Sequence, residues 1–130
     1  MKLGYTLLYV EDVEKTMKFY AQAFGLEAGV MDQEGKQYGE MATGETKLGF
    51  VNHKTASSHG FSYDKMDLTK KAAAFEIGFV TKDVQAAVDK AVKNGAYLVS
   101  KPETKPWGQI VSYVRDCNGF LVEICSPMGS

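Results

Sequence analysis

Two stretches of this chain repeat the same succession of apolar and polar positions. The strand-like run Tyr5-Thr6-Leu7-Leu8-Tyr9-Val10 leads into a turn holding Asp12, and the run Glu76-Ile77-Gly78-Phe79-Val80 leads into one holding Asp83. A long amphipathic stretch follows each turn and closes at a glycine, Gly25 in the first copy and Gly95 in the second. Val13, Met17, Tyr20 and Phe24 recur at helical spacing, which predicts a helix over 13–24. Asp12 is its expected N-cap, Glu11 and Glu14 suit its positive end, and Gly25 stops it. In the second copy Asp83 caps a helix over 84–93, which Asn94-Gly95 ends.

The rest of each copy reads as short strands. In the first they are 3–10, 28–33, 37–43 and 47–52, punctuated by Gly35 and the Thr43-Gly44-Glu45 turn. In the second they are 75–80, 97–100, 110–114 and 120–125. Pro102 and Pro106 shape one loop, Asp116-Cys117-Asn118-Gly119 forms the last turn, and the tail from Ser126 is expected to fray. Between the copies the pattern lapses: the stretch from His53 to Lys71 holds two His, three Ser and four Lys with little periodicity, and reads as a mobile connector.

Two copies of this length are a tandem duplication of a βαβββ module rather than a solenoid. The expected class is α+β, a single domain over 1–130 with module 1 at about 3–53, a connector at about 54–71 and module 2 at about 72–127. Neither module is expected to hold a core alone. Paired, their strands would form one curved mixed sheet of eight, with the helices on its outer face and a cavity within its inner face.

Alternation along the strands selects the residues facing that cavity. Phe75, Ile77 and Phe79 form the row expected to meet the helix, which leaves Glu76, Gly78 and Val80 opposite. Phe120, Val122 and Ile124 do the same in the last strand, leaving Leu121, Glu123 and Cys125. Two carboxylates thus share the inner face, where each must be solvated, paired or used. Tyr5 stands at the first-copy position of Glu76, seven residues before its Asp. The counterpart of Glu123 is Leu48, with Phe50 on the same face, or Gly49 if the register slips by one.

Composition narrows the function by exclusion. Fifteen basic and sixteen acidic residues give a formal charge of -1, so no basic field points to nucleic acid or an anionic membrane. No apolar run of about 18 residues and no export-type start is present, so a soluble cytoplasmic protein is expected. Cys117 and Cys125 lack CxxC or zinc-ligand spacing and are expected to stay reduced. His53 and His59, the two imidazoles, both fall in the connector.

Several segments together resemble one family. Asp12-Val13-Glu14-Lys15-Thr16-Met17-Lys18-Phe19-Tyr20 looks like its first-helix signature, and Lys105-Pro106-Trp107-Gly108-Gln109 like the PWG segment before the seventh strand. Asp116-Cys117-Asn118-Gly119-Phe120-Leu121-Val122-Glu123 is similar to its closing run DPDGxxxE, with Cys in place of Pro. The chain resembles, over residues 3 to 127, the vicinal oxygen chelate superfamily, and within it the bleomycin-resistance-like branch. That superfamily includes glyoxalase I, the bleomycin- and fosfomycin-resistance proteins and extradiol dioxygenases. Its metal-using members place His, Glu or Gln at four inward strand positions, here held by Tyr5, Leu48 or Gly49, Glu76 and Glu123. Glu123 fits the family's carboxylate ligand, Glu76 stands where His is usual, and Tyr5 and Leu48 depart from the pattern. The resemblance also implies a homodimer whose cavities join the first module of one chain to the second of the other; pairing within one chain is the alternative.

The reading that follows is a binder of a small, partly apolar or cationic molecule, needing no metal or other cofactor. Its ligand-binding residues would be Tyr5, Tyr9, Phe50 (or Tyr38), Glu76, Trp107 and Glu123, combining aromatic walls with two acids. The alternatives are a divalent-metal-dependent lyase or isomerase of the glyoxalase type, and an acid/base enzyme with Glu76 and Glu123 as catalytic residues. A third is a fold whose cavity is vestigial or serves protein association. The connector, with His59, Phe61 and Tyr63, is a candidate lid.

Overall fold

The computed structural model of the chain describes residues 1–34 and 36–129. It divides into two compact units, the first spanning Met1–Lys65 and the second beginning at Met66. The first runs β1 (Tyr5–Val10), α1 (Val13–Phe24), β2 (Glu27–Met31), β3 (Tyr38–Ala42), β4 (Lys47–Asn52) and a short α2 (His53–Ser57). The second runs β5 (Ile77–Val80), α3 (Val84–Lys93), β6 (Tyr97–Thr104), β7 (Ile110–Arg115) and β8 (Leu121–Cys125). The class is α+β with a repeated βαβββ module. One continuous sheet of eight strands was expected; hydrogen bonding gives two four-stranded mixed sheets, ordered β1-β4-β3-β2 and β5-β8-β7-β6. Each is completed inside its own module by a parallel pairing, β1 with β4 and β5 with β8.

The helices start where the side-chain chemistry dictates. Asp12 accepts from the Lys15 amide at 3.0 Å and Asp83 from the Ala86 amide at 3.0 Å, each satisfying an amide with no partner inside the helix. Gly25 ends α1 at φ 71°, its amide bonded to the Ala21 carbonyl, a left-handed conformation that glycine adopts without penalty.

Each helix buries its apolar stripe on one face of its own sheet. In the first unit Val13, Met17 and Tyr20 of α1 are buried together with Leu8, Met41, Leu48 and Phe50 of the strands. The Tyr20 and Phe50 ring centroids stand 5.0 Å apart. A Cβ at Gly39 would run into the Met17 thioether, so the bare backbone of β3 lets α1 lie close. In the second unit α3 buries Val84, Val88 and Ala91, and the strands contribute Val114, Val122 and Ile124.

Several local expectations need correction. The connector begins with a helical turn, α2, because the Asn52 side chain accepts from the Thr55 amide at 2.8 Å and caps it. β6 continues to Thr104 through Pro102; it is an edge strand, and its pairing with β7 shifts register on either side of Ser100, so no ladder bond is lost to the proline. Ser126 is not frayed: its amide bonds the Ile110 carbonyl at 2.9 Å and its hydroxyl accepts from the Ile110 amide at 2.8 Å. Glu76 precedes β5 rather than lying inside it. The turn expected at Gly35 lies outside the described residues. Among the described residues no disulfide forms, and no helix is long and apolar enough to cross a membrane.

Candidate functional site

The face of the second sheet turned away from α3 carries the acidic residues. Parallel pairing of β5 with β8 sets Gly78 beside Glu123, and antiparallel pairing of β7 with β8 sets Tyr113 on its other side. The Tyr113 hydroxyl donates to Glu123 Oε1 at 3.1 Å. Glu76 reaches the same cluster and lies close enough to Glu123 for a shared hydrogen bond. A Cβ at Gly78 would meet nothing within 4 Å, so the sheet is open beside the carboxylates.

Two acids this close cannot share ionisation equally. Partial burial, the hydrogen bond to Glu123 and that residue's charge all raise Glu76 above the usual carboxylate range. Burial pushes Glu123 upward too, but the hydrogen bonds from Glu76 and Tyr113, with the neighbouring Cys125 thiol, together outweigh it and hold Glu123 low. The pair therefore titrates unequally, Glu123 giving up its proton before Glu76. The negative charge acts back on its donors. Burial and the bond to Glu123 push Tyr113 up to about 12 and Cys125 up to about 11, so neither ionises at neutral pH.

Trp107 lies in the β6–β7 turn with its side chain 62% exposed. Its indole N–H donates to Gln109 Oε1 at 2.9 Å, and Gln109 Nε2 donates to the Ser126 carbonyl at 2.9 Å. The Cys125 thiol, two residues on from Glu123 in β8, donates to the Phe79 carbonyl at 3.7 Å.

In the first unit the expected residues separate. Tyr5, 59% exposed, lies on the face turned away from α1. Tyr9 shares that face, but its ring is packed by connector residues, with the Tyr63 centroid 4.9 Å and the Phe61 centroid 6.0 Å away. Phe50 is corrected: it is 0% exposed and belongs to the α1 core, in register with Leu8. The same register decides the counterpart of Glu123. Leu7 pairs with Gly49 as Gly78 pairs with Glu123, so the counterpart is Gly49, and Leu48 faces the helix.

Both histidines are engaged with the connector. His53 Nδ1 is 2.8 Å from the Tyr63 hydroxyl and its Nε2 is 3.9 Å from Glu11, while His59 stacks on Phe61 at 6.4 Å. The four positions that hold metal ligands in the resembling family are thus Tyr5, Gly49, Glu76 and Glu123. Only the last two offer strong donors. Among the described residues no group of three or more His, Cys, Asp or Glu side chains is placed to hold a metal, so this donor set does not fit the family's centre. A separate hollow of about 320 Å³ opens at the start of α1 between Glu11, Asp12, Val13, Glu14, Lys36 and Asn52. None of the expected site residues lines it.

Tyr113 and Glu40 were missed from sequence. Tyr113 was recoverable, because the five residues from Asp116 to Phe120 join β7 to β8 and fix which residue stands opposite Glu123. Glu40, which accepts from the Tyr38 hydroxyl at 2.5 Å, has no counterpart acid in the second copy and so gave no repeat signal.

Comparison with known proteins agrees with the fold. Residues 2–124 match the family model of the Glyoxalase/Bleomycin resistance protein/Dioxygenase superfamily. The chain is similar to an uncharacterised protein of Bacillus subtilis (strain 168), YraH, 29% identical over 126 residues, covering 95% of this chain and 97% of that protein. It is also similar to a probable lactoylglutathione lyase of Synechocystis, 26% identical over 132 residues and covering 95% and 94% of the two chains. Among solved structures a glyoxalase-related enzyme from Fulvimarina pelagi superposes with a TM-score of 0.83 at 16% identity, over 97% of this chain and 88% of that one. The chain belongs to the Glyoxalase/Bleomycin resistance protein/Dioxygenase superfamily.

Proposed function

We propose that this member of the superfamily binds a small, partly apolar molecule through a cationic or hydrogen-bond-donating group, and does so without a metal. The observation that carries the reading is the Glu76–Glu123–Tyr113 network beside the open backbone of Gly78. The network carries negative charge and has no basic partner among the described ion pairs. A ligand ammonium or guanidinium would satisfy that charge, and the exposed indole of Trp107 supplies a stacking surface in the same unit.

The test is a thermal-shift screen of chelator-treated protein against arylalkylammonium ions and their neutral isosteres, since ligand that binds only the native state raises the midpoint. Cationic members should stabilise the wild type and fail to stabilise a Glu76→Gln/Glu123→Gln variant. Stabilisation that appears only after a divalent ion is added would defeat the metal-free reading.

A second reading is favoured by the opposite shifts of the two acids. A low Glu123 and a raised Glu76 are a ready base and acid for moving a proton beside a carbonyl. The relative from Synechocystis suggests the first substrate to try, the thiol adduct that yields lactoylglutathione. Product formed by the wild type and reduced at least a hundredfold in Glu123→Gln would support it; equal turnover by both proteins would end it.

A further inference from the structure

Two asparagines of the second unit are followed by glycine, in Asn94-Gly95 and Asn118-Gly119. In such a pair the glycine amide nitrogen can attack the asparagine Cγ, because the following residue has no side chain to block the approach. The N–Cγ bond closes a succinimide ring as the Cγ–Nδ2 bond breaks, and the amide proton departs on the ammonia released. Solvent water then opens one of the two ring C–N bonds. One opening leaves aspartate; the other leaves isoaspartate, whose main chain runs through the former side chain and gains a methylene. Which pair reacts depends on what holds the attacking nitrogen.

At Asn118 that nitrogen is locked. Asp116 is buried, and its Oδ1 accepts from the Asn118 amide at 2.8 Å, the Gly119 amide at 2.8 Å and the Phe120 amide at 2.9 Å. The Gly119 amide also reaches the Asp116 carbonyl at 3.1 Å. Gly119 is itself buried, and its carbonyl accepts from Arg115 Nε at 2.8 Å. Losing the amide proton beside a carboxylate is disfavoured, and swinging the backbone for attack would break the whole turn. At Asn94 the described bonds come from the last turn of α3 itself. The Gly95 amide bonds the Val92 carbonyl at 3.1 Å, and Asn94 Nδ2 donates to the Lys90 carbonyl at 2.8 Å. Both residues are exposed, and a terminal helical turn opens at little cost, which frees the nitrogen to reach Cγ.

We propose that Asn94 is a site of spontaneous, succinimide-mediated deamidation, and that Asp116 keeps the same chemistry out of the turn between β7 and β8. The two positions differ in consequence. An added methylene in the β7–β8 turn would shift the register that sets Tyr113 opposite Glu123. At Asn94 it falls between α3 and the edge strand β6. There the new carboxylate adds charge at the negative end of α3 and cannot donate to the Lys90 carbonyl, so the end of the helix loosens. The proposal does not depend on the reading of Glu76 and Glu123.

The experiment incubates the full chain, folded and in urea, at mildly alkaline pH for several weeks. Fragmentation of the intact chain in a mass spectrometer locates each replacement of NH2 by OH, and an isoaspartyl methyltransferase with a labelled methyl donor reports isoaspartate. In urea the two asparagines should convert at similar rates. In the folded chain Asn94 should convert at least tenfold faster than Asn118, and Asn94→Gln should lose the methyl label. Asp116→Ser should speed conversion of Asn118 at least fivefold while Asn94 keeps its rate. The wild-type comparison of folded and unfolded chain decides the first claim whether or not that variant folds. The proposal is overturned if the folded chain converts Asn118 as fast as Asn94, or keeps Asn94 intact while the unfolded chain loses it. A folded Asp116→Ser in which Asn118 stays as slow as in the wild type overturns the role given to Asp116.

Discussion

Tyr113 donates its phenolic proton to Glu123 across the β7–β8 ladder at 3.1 Å, and that bond helps decide which of two neighbouring acids carries the charge. Removing it is a direct test. In Tyr113→Phe the Glu123 carboxylate loses its phenolic donor while its burial remains, so its pKa should move up toward that of Glu76. Carboxyl ¹³C titration should show the two acids drawing together, and loss of the bond should cost about 0.5–1.5 kcal/mol in urea unfolding. Unchanged titration of Glu123 would mean that the phenol contributes nothing to the asymmetry.

The pair also sets a pH signature for stability. Glu76 is raised in the folded protein, so its contribution is complete below the ordinary carboxylate value of 4.5 and is lost as pH rises through its folded pKa. Glu123 is lowered, so its contribution is complete above 4.5 and is lost as pH falls through its folded pKa. Glu76→Gln imitates the protonated form and cannot ionise. Its melting temperature should therefore gain on the wild type as pH rises from 4 to 8, whereas Glu123→Gln should lose ground over the same interval. Parallel pH curves for all three proteins would contradict the unequal titration.

Arg115 fastens the start of the second unit. Its guanidinium donates to the carbonyls of Asp67 at 3.2 Å, Leu68 at 3.3 Å and Lys70 at 2.8 Å, and its Nε donates to that of Gly119 at 2.8 Å. Lysine cannot reproduce a planar fork of donors. Arg115→Lys should cost about 1–3 kcal/mol and open the backbone near 67–70 to proteolysis. Cleavage there at the wild-type rate would show that other contacts hold the segment.

How much of this was legible beforehand depended on whether a local or a long-range feature decided it. Asp12, Asp83 and Gly25 signal helix ends by their own chemistry, and both helices lie where the periodicity puts them. Alternation alone placed Glu76 and Glu123 on one face. Phe50 could not be placed that way, because β4 is buried on both faces from Leu48 to Val51 and offers no polar row to mark the inner side. Only its pairing with β1 shows that Leu48 and Phe50 face the helix. The carbonyls that Arg115 gathers lie 45 to 48 residues away in sequence, which no spacing rule reaches.

Phe50 and Trp107 should accordingly respond to truncation in opposite ways. Phe50→Ala removes a ring packed on Tyr20 in the core and should cost about 3–5 kcal/mol. Trp107→Ala removes a largely exposed ring and should change stability by less than about 0.5 kcal/mol while abolishing stacking of an aromatic ligand. Calorimetry on the two variants, with and without an arylalkylammonium ligand, separates them. A large loss of stability in Trp107→Ala would show the indole to be structural.

His53 gives the connector its own dependence on pH. Burial of the ring, and after it the nearby Lys65 ammonium, lowers its pKa below the usual 6.5, with Glu11 only partly offsetting them. A base depressed in the folded state contributes stability that is complete above 6.5 and is lost as pH falls through the folded pKa. Protonation also fixes Nδ1 as a donor toward the Tyr63 hydroxyl 2.8 Å away, which leaves the phenol only the long 3.5 Å bond to the His53 carbonyl for its own proton. Tyr63 packs on Tyr9, so the stress falls on the contact by which the connector covers β1. Between pH 7.5 and 5 the wild type should lose protection of the amides around 59–63 in hydrogen exchange, whereas His53→Gln should exchange there at a rate that tracks only the intrinsic chemistry. Equal pH dependence in the two proteins would place the control of this segment elsewhere, with Glu11 and Lys65 the remaining charged groups at hand.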